Sequence, residues 1–224
     1  LDRVIAAING TGYGLTFGLQ TRIDDRVQHV TERIHAGNLY VNRNQIGAIV
    51  GSQPFGGEGL SGTGPKAGGP HYLARFTANP AAGEGDDWAA PMPVDVMQDL
   101  IDRAGGETDE KRQGLVLPGP TGESNRLTTH VRPPLLCLGP GEDTASAQAR
   151  AVCKLGGRAV LANGALPPEA LTELTGFSGA LYWGDAGAAR AYAQALSRRD
   201  GPILPLITGQ PDTGHVVHER HVCV

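Results

Sequence analysis

Apolar and polar positions recur along the first part of the chain at two spacings, which predict helices and strands in alternation. Val4, Ile5 and Ile8 lie at helical spacing, and Asn9 with Gly10 is typical of a helix end. Shorter apolar runs rich in β-branched and aromatic residues predict strands. In order, the pattern predicts a helix ending near residue 10, a strand at 15–19, a helix at 23–36 and a strand at 39–41.

The second part of the chain alternates in the same way. The pattern predicts strands at 134–138, 159–161, 180–183 and 203–207, and helices at 144–155, 167–174 and 186–198. Strands that alternate with helices of this length imply right-handed crossovers and a parallel sheet. The predicted fold class is therefore α/β.

Charge divides the chain into three parts. Residues 1–76 carry a net charge of +2, residues 77–114 carry 3 basic and 9 acidic residues, and residues 115–224 carry 9 of each. The middle part is also rich in Pro and small residues, which bury too little surface to offset the entropy of ordering. We predict one lobe at 1–76, an acidic linker at 77–114 interrupted by a short helix at 94–103, and a second lobe at 115–224.

Composition excludes several classes of protein. The 224 residues carry a formal net charge of −4 without a long basic run, which argues against nucleic-acid binding. Three cysteines are too few for a disulfide scaffold and indicate a reducing cytoplasm. No apolar stretch is long enough to cross a membrane. Both ends lie inside predicted elements, so we expect the chain to be part of a longer protein.

The segment at 47–64 is dense in glycine and contains one large ring, Phe55. Backbone N–H groups in such a loop can hold an anion without a charged side chain. An amide nest beside an aromatic ring suits a small anion with an apolar stem. A flexible surface loop or a subunit-contact loop is the alternative. A dinucleotide fingerprint is disfavoured, because no strand-turn-helix pattern frames these glycines.

The sequences GNLYVN at 37–42, PFGG at 54–57 and SG at 61–62 resemble the C-terminal end of the aldehyde dehydrogenase catalytic domain. The longer stretch at 42–70 is similar to the L-glutamate γ-semialdehyde (pyrroline-5-carboxylate) dehydrogenase module of the bacterial proline utilization A family. The second lobe resembles the extra, degenerate Rossmann-like domain of longer members of that family.

This resemblance implies roles for individual residues. The backbone N–H groups of Gly47 and Ala48 would hold the α-carboxylate of the substrate, and Phe55 would pack against its aliphatic stem. The positions that would shape the loop are Asn42, Gly56, Gly57, Ser61 and Gly62.

The resemblance also implies a reaction. The parent protein would oxidise proline to glutamate, with FAD in a proline dehydrogenase step and NAD in the aldehyde dehydrogenase step. The family's nucleophilic Cys and general-base Glu lie N-terminal to the matched region, so we expect no catalytic, cofactor or metal residue here and no activity from this chain alone. The expected partners are the small-molecule substrate, the rest of the parent chain and further copies in a homo-oligomer. The alternative is a non-catalytic α/β interaction module.

Four other features favour structural interpretations. The Gly139-Pro140-Gly141 turn precedes two acidic residues, which suit a helix start and would repel a phosphate. The stretch at 119–125 is typical of an irregular turn. The stretch at 215–223 holds zinc-ligand types, but a strand end with solvated His is favoured. The cysteines, expected to be buried and inert, are Cys137, Cys153 and Cys223.

Overall fold

The computed structural model describes residues 1–77, 79–83, 86–105 and 111–224, with the backbone alone for residues 111–113. The helices are α1 (Asp2–Asn9), α2 (Asp24–Thr31), α3 (Val94–Ala104), α4 (Gly141–Lys154), α5 (Ala186–Ser197) and α6 (Thr213–Val216). The first strands are β1 (Tyr13–Gly14), β2 (Thr16–Leu19), β3 (Asn38–Val41), β4 (Glu58–Gly59), β5 (Lys111–Leu117) and β6 (Asn125–Val131). The later strands are β7 (Leu135–Cys137), β8 (Ala159–Leu161), β9 (Gly179–Leu181), β10 (Leu206–Ile207) and β11 (Val217–Cys223). Short 3-10 helices lie at Leu73–Phe76 and Pro168–Thr172.

The chain forms two compact units, and neither is continuous in sequence. The first unit consists of Leu1–Arg75, Lys111–His130 and His218–Val224, and the second consists of Phe76–Glu110 and Val131–Val217. The first unit therefore takes up the last strand of the chain, which the sequence prediction assigned to the second lobe.

The first unit is built on a five-stranded sheet with the strand order β2-β3-β11-β6-β5. Strands β2 and β11 run parallel to β3, with His221 opposite Asn38 and Cys223 opposite Tyr40. Strand β11 is thus an interior strand between β3 and β6. The core of this unit consists of Ile5, Val30, Ile34, Ala36, Leu39, Val41 and Val222.

The predicted helix at 23–36 is shorter in the structure, because α2 ends at Thr31. Further backbone hydrogen bonds, from the N–H groups of Arg33 and Ile34 to the carbonyl of Val30, continue the turn. Ile34 remains fully buried although it lies beyond the helix. The apolar spacing predicted a longer helix because the turn after α2 buries its apolar residues at the same spacing as the helix does.

The second unit contains a parallel sheet with the strand order β10-β9-β7-β8. Leu136 of β7 lies between Val160 of β8 and Ala180 of β9 in the register. Each of these three side chains is buried in one apolar core with residues of α3 and α5. The prediction of an α/β fold with a parallel sheet is confirmed.

The structure divides the chain differently from the predicted linker at 77–114. Within it, α3 buries Met97 and Ile101 in the core of the second unit, while Asp95, Asp99 and Asp102 are exposed. Three of the nine acidic residues of the predicted linker thus lie on the exposed face of a packed helix, so charge gave a misleading boundary. Parts of the predicted linker, namely residues 78, 84, 85 and 106–110, lie outside the described residues.

The stretch from residue 111 to residue 131 also differs from the prediction, which assigned no strand there. It forms an antiparallel pair in which Leu115 lies opposite Leu127. The predicted irregular turn at 119–125 joins the two strands. Because this pair belongs to the sheet of the first unit, the predicted start of the second lobe at residue 115 does not match the structural division.

The strand order of the second unit creates a switch point between β7 and β9, the place where doubly wound sheets bind ligands. Here the crevice holds the chain's own backbone. The N–H of Gly83 donates to the carbonyl of Trp183 at 2.9 Å, and Trp88 Nε1 donates to the carbonyl of Leu138 at 2.9 Å. A Cβ on Gly141 would lie 1.9 Å from the carbonyl oxygen of Asp86. The start of α4 is therefore covered where a nucleotide phosphate would otherwise approach.

We expect Gly141→Ala to lower the melting temperature of the chain more than Gly201→Ala does. Both glycines have a positive φ, 67° and 96°, so both substitutions introduce backbone strain of about 1–2 kcal/mol. Only the Cβ at residue 141 would also overlap a backbone oxygen, whereas the Cβ at residue 201 would meet nothing within 4 Å. Thermal unfolding of the two variants measures the difference. Equal melting temperatures would show that the segment around Asp86 does not pack against this turn.

Candidate functional site

The glycine-rich loop at 42–69 leaves the end of β3 through a left-handed residue. Asn42 has a φ of 56°, and its Oδ1 accepts a hydrogen bond from the N–H of Thr21 at 2.9 Å. Asn takes up this backbone conformation more readily than most residues that have a side chain. The predicted shaping position Asn42 therefore marks the point where the chain turns out of the sheet.

The first part of the loop carries the two predicted anchor residues, Gly47 and Ala48. The hydroxyl of Tyr40 donates to the carbonyl oxygen of Gly47 at 2.8 Å. Immediately afterwards, Ile49 and Gln53 exchange two backbone hydrogen bonds and close a tight turn. Within the described residues, neither the N–H of Gly47 nor that of Ala48 has a hydrogen-bond acceptor. The loop thus presents two adjacent donors that the protein itself does not use.

Phe55 is half-buried and lies in a short antiparallel bridge. Its N–H donates to the carbonyl of Ala67 at 3.0 Å, and the N–H of Ala67 donates back at 2.9 Å. This reciprocal pair fixes the backbone on both sides of the aromatic residue. The ring therefore projects from a held segment and not from a free loop.

Lys66 ties the loop to two strands of the sheet. Its Nζ donates to Asn38 Oδ1 at 3.0 Å and to the carbonyl of Gly56, while its backbone N–H donates to Glu219 Oε2 at 2.8 Å. The side chain is 2% exposed. Burial lowers the pKa of Lys66 to about 7, against the opposing effect of the Glu219 and Glu58 carboxylates. Lys66 thus holds β3 and the loop together through its side-chain amine, and β11 through its backbone N–H.

A buried ion pair joins β11 to β4. Arg220 donates through Nε to Glu58 Oε2 at 2.9 Å and through Nη2 to Glu58 Oε1 at 2.8 Å. This two-point geometry is the strong form of an Arg–carboxylate pair. The Arg220 side chain is almost fully buried, so the pair fixes the loop in the interior of the unit.

The turn between β5 and β6 contributes a carboxylate that accepts three hydrogen bonds. Glu123 Oε2 accepts from Arg43 Nη1 at 2.7 Å, and Glu123 Oε1 accepts from Asn125 Nδ2 at 2.7 Å and Gln53 Nε2 at 2.9 Å. The bond from Asn125 is the largest cause that lowers the pKa of Glu123, followed by the bond from Gln53. The ionised carboxylate therefore links this turn to the loop.

Two residues of β11 differ from the sequence prediction of a solvated strand end. His221 is fully buried, and burial together with the nearby Lys66 lowers its pKa to about 4. Cys223 is also buried, with Sγ 2.8 Å from Arg43 Nη1, and burial raises its pKa. These side chains are interior because β11 is an interior strand.

The other two cysteines give a mixed outcome. Cys137 is buried on β7, and burial raises its pKa to about 12. Cys153 is exposed on α4, contrary to the prediction, because it lies on the outer face of that helix.

The remaining shaping positions lie in backbone contacts. Gly56 donates its N–H to Asn38 Oδ1 at 3.1 Å, and Ser61 Oγ accepts from the N–H of Gly14 at 3.1 Å. A Cβ on Gly62 would lie 2.5 Å from the carbonyl oxygen of Gly57. These contacts suit residues that hold the loop. The substrate contacts of Gly47, Ala48 and Phe55 remain predictions.

Several residues that support the loop were not predicted from the sequence. Glu123 stood within a segment interpreted as a turn, and Glu219 and Arg220 stood within the segment interpreted as a strand end. The signal available was the density of charged residues at 215–223 in a pattern with the strand period. That pattern predicts a strand, but it does not say which strand it pairs with.

Known proteins are similar in sequence to different parts of the chain. Residues 1–80 match the aldehyde dehydrogenase family. The chain is 41% identical over 234 residues to the bifunctional protein PutA of Rhizobium meliloti, and the alignment covers 91% of this chain and 19% of that protein. It is 53% identical over 73 residues to a 1-pyrroline-5-carboxylate dehydrogenase of Bacillus cereus, and this alignment covers 33% of this chain and 14% of that protein.

A solved structure is similar over almost the whole chain. Proline utilization A from Corynebacterium freiburgense matches 99% of this chain and 24% of its own length, with a TM-score of 0.58 and 25% identity. The chain spans about a fifth of the length of the PutA relatives that it matches. The predicted resemblance to the aldehyde dehydrogenase and proline utilization A families is therefore confirmed.

We expect His221→Phe to reduce the pH dependence of stability. The pKa of His221 lies below its usual value of about 6.5, so the unfolded chain binds a proton that the folded chain does not between pH 6.5 and 4. The wild-type chain should therefore lose on the order of 3 kcal/mol relative to His221→Phe as the pH falls through that window. Urea unfolding at a series of pH values measures this. The same substitution at exposed His35 is the control, and it should leave the dependence of unfolding free energy on pH as in the wild-type chain. An unchanged pH dependence in His221→Phe would contradict the expectation.

Proposed function

We propose that this chain is the C-terminal part of a proline-catabolic enzyme, in which it supplies the substrate-anchoring loop of an NAD-dependent L-glutamate γ-semialdehyde dehydrogenase. The whole protein would oxidise proline to glutamate, with an FAD-dependent proline dehydrogenase step first. Both the oxidoreductase class and the proline-catabolic pathway are supported by the relatives, which are PutA and 1-pyrroline-5-carboxylate dehydrogenase proteins.

The observation that carries the proposal is the pair of unused N–H groups at Gly47 and Ala48. Two adjacent backbone donors on a fixed loop can each give one hydrogen bond to a carboxylate. Phe55 lies on the same loop, two residues after Gln53, and offers an apolar ring for the carbon chain of the substrate. A carboxylate joined to a short aliphatic stem is the ligand class that such a loop suits.

This chain's residues would bind and orient the aldehyde, and they would not carry out the chemistry. In aldehyde dehydrogenases a thiolate attacks the aldehyde, and NAD, when bound, accepts the hydride. None of the three cysteines suits that role: Cys137 and Cys223 are buried with raised pKa values, and Cys153 lies on α4 of the second unit. The crevice of the second unit does not fit a nucleotide, because backbone around Asp86 covers it.

The second unit would then serve as a non-catalytic covering or assembly domain. The rest of the parent chain and further copies in a homo-oligomer are the proposed partners, in the cytoplasm. None of the helices in the described part of the chain has the length and apolar character needed to span a bilayer.

In the parent protein, Phe55→Ala should raise KM for L-glutamate γ-semialdehyde about tenfold, because the loss of part of a buried ring surface weakens binding by about 1.4 kcal/mol. Phe55→Leu is the matched variant and should raise KM less, since it keeps an apolar side chain. Steady-state kinetics at saturating NAD measures both. Unchanged kinetics in Phe55→Ala would remove this residue from the substrate site.

The 224-residue chain by itself should form no NADH from L-glutamate γ-semialdehyde, because it lacks a suitable nucleophile. Absorbance at the nicotinamide band, with the parent protein as the positive control, tests this directly. Turnover by the chain alone would overturn the assignment of chemistry to other parts of the parent.

A further inference from the structure

The two anchor N–H groups are held by a set of buried side chains that play no part in the function proposed above. Tyr40 is fully buried on β3, and its hydroxyl donates to the carbonyl oxygen of Gly47 at 2.8 Å. Burial is the largest cause that raises the pKa of Tyr40, so the hydroxyl keeps its proton and remains a donor. Arg43 lies over the ring, with its Cζ 5.6 Å from the ring centre.

This hydrogen bond fixes the direction of the second anchor donor. The carbonyl of Gly47 and the N–H of Ala48 belong to the same peptide group, which is planar and trans. The two groups therefore point in opposite directions. When Tyr40 holds the carbonyl towards the sheet, the N–H of Ala48 must face away from the sheet.

Gln53 packs next to Gly47. Its side chain is 2% exposed, and its Oε1 would lie 2.5 Å from a Cβ on Gly47. A Cβ at residue 47 would overlap the buried Gln53 side chain, so close packing favours glycine at this position. The backbone of Gln53 also closes the turn with Ile49 that directly follows Ala48.

The orientation of the Gln53 amide is set by Glu123. An ionised carboxylate only accepts hydrogen bonds, so Gln53 must turn Nε2 towards it, and that bond is 2.9 Å long. Glu123 is held in turn by Arg43 and Asn125. Tyr40 thus holds the Gly47–Ala48 peptide by a hydrogen bond, and the Gln53 side chain occupies the space next to the Cα of Gly47. Both side chains belong to the first unit.

We propose that Tyr40 and Gln53 are positioning residues that preorganise the Gly47 and Ala48 N–H groups for a carboxylate. The proposal rests on the proposed function for the identity of the substrate, and it assigns selectivity for aldehydes that carry an α-carboxylate to these two buried side chains. Preorganised donors lose little freedom on binding, so their contribution depends on how firmly the peptide is held.

The test uses Tyr40→Phe in the parent protein, because this change removes only the hydroxyl that holds the Gly47 carbonyl. We expect kcat/KM for L-glutamate γ-semialdehyde to fall about fivefold, mainly through KM, as for the loss of one hydrogen bond. The value for pentanal, which has five carbons and no carboxylate, should change less than twofold. An equal fall for both aldehydes, or no change for either, would overturn the proposal.

Tyr192→Phe is the matched control. Its hydroxyl is also buried and also donates to a backbone carbonyl, that of Leu166 at 2.7 Å, but it lies in the second unit. It should cost a similar amount of stability and leave both aldehydes unaffected. Gln53→Met keeps the volume of the side chain and removes the bond to Glu123. It should reproduce the selective loss seen with Tyr40→Phe, and failure to do so would remove Gln53 from the proposal.

A binding measurement separates this proposal from the proposed function. Amide NMR of the 224-residue chain is recorded during titration with L-norvaline, which has an α-carboxylate, and with L-norvalinol, which has an alcohol in its place. We expect the Gly47 and Ala48 resonances to shift with norvaline alone, and to require about five times more of it in Tyr40→Phe. If the parent does not oxidise L-glutamate γ-semialdehyde but these shifts occur, the proposed function fails and the positioning role stands. If norvaline produces no shifts in the wild-type chain, or if the shifts are the same in Tyr40→Phe, the positioning role fails.

Discussion

The first unit depends on the burial of charged side chains from β11 in the middle of its sheet. Glu219 and Arg220 lie in the interior, where an unpaired charge would be strongly destabilising. Their partners, the backbone N–H of Lys66 and the carboxylate of Glu58, both come from the glycine-rich loop. If the loop left the sheet, Glu219 and Arg220 would lose these partners. The pairing of β11 therefore also determines where the loop lies.

This arrangement explains how a loop with so many glycines can present a defined surface. Glycine permits close approach of backbones but does not itself restrict the chain. The restriction comes from side chains that reach the loop from the sheet: Asn38 and Tyr40 from β3, and Glu219 from β11. The same loop leaves the N–H groups of Gly47 and Ala48 without an acceptor in the described part of the chain.

Local structure could be predicted from the sequence, whereas the pairing of distant segments could not. The strands at 39–41 and 159–161 and the helix at 94–103 were predicted almost at their observed bounds, because each has a clear periodicity and a clear end signal. The position of β11 between β3 and β6 has no local signal, since the residues that pair are far apart in sequence. His221 was accordingly expected at the surface, although it is fully buried. Resemblance identified the glycine loop, but not the Tyr40, Gln53 and Glu123 side chains that hold it.

The pairing of β3 with β11 also has a consequence for how the chain is made. His221 lies opposite Asn38, and most of the residues between them belong to the second unit. A ribosome completes that unit before it releases the strand that fills the gap between β3 and β6. Until then both neighbours present unpaired backbone edges, which are sites for association with other chains. Contacts between such distant residues form slowly, so the nascent protein passes through a period in which its second unit can fold while its first unit must wait.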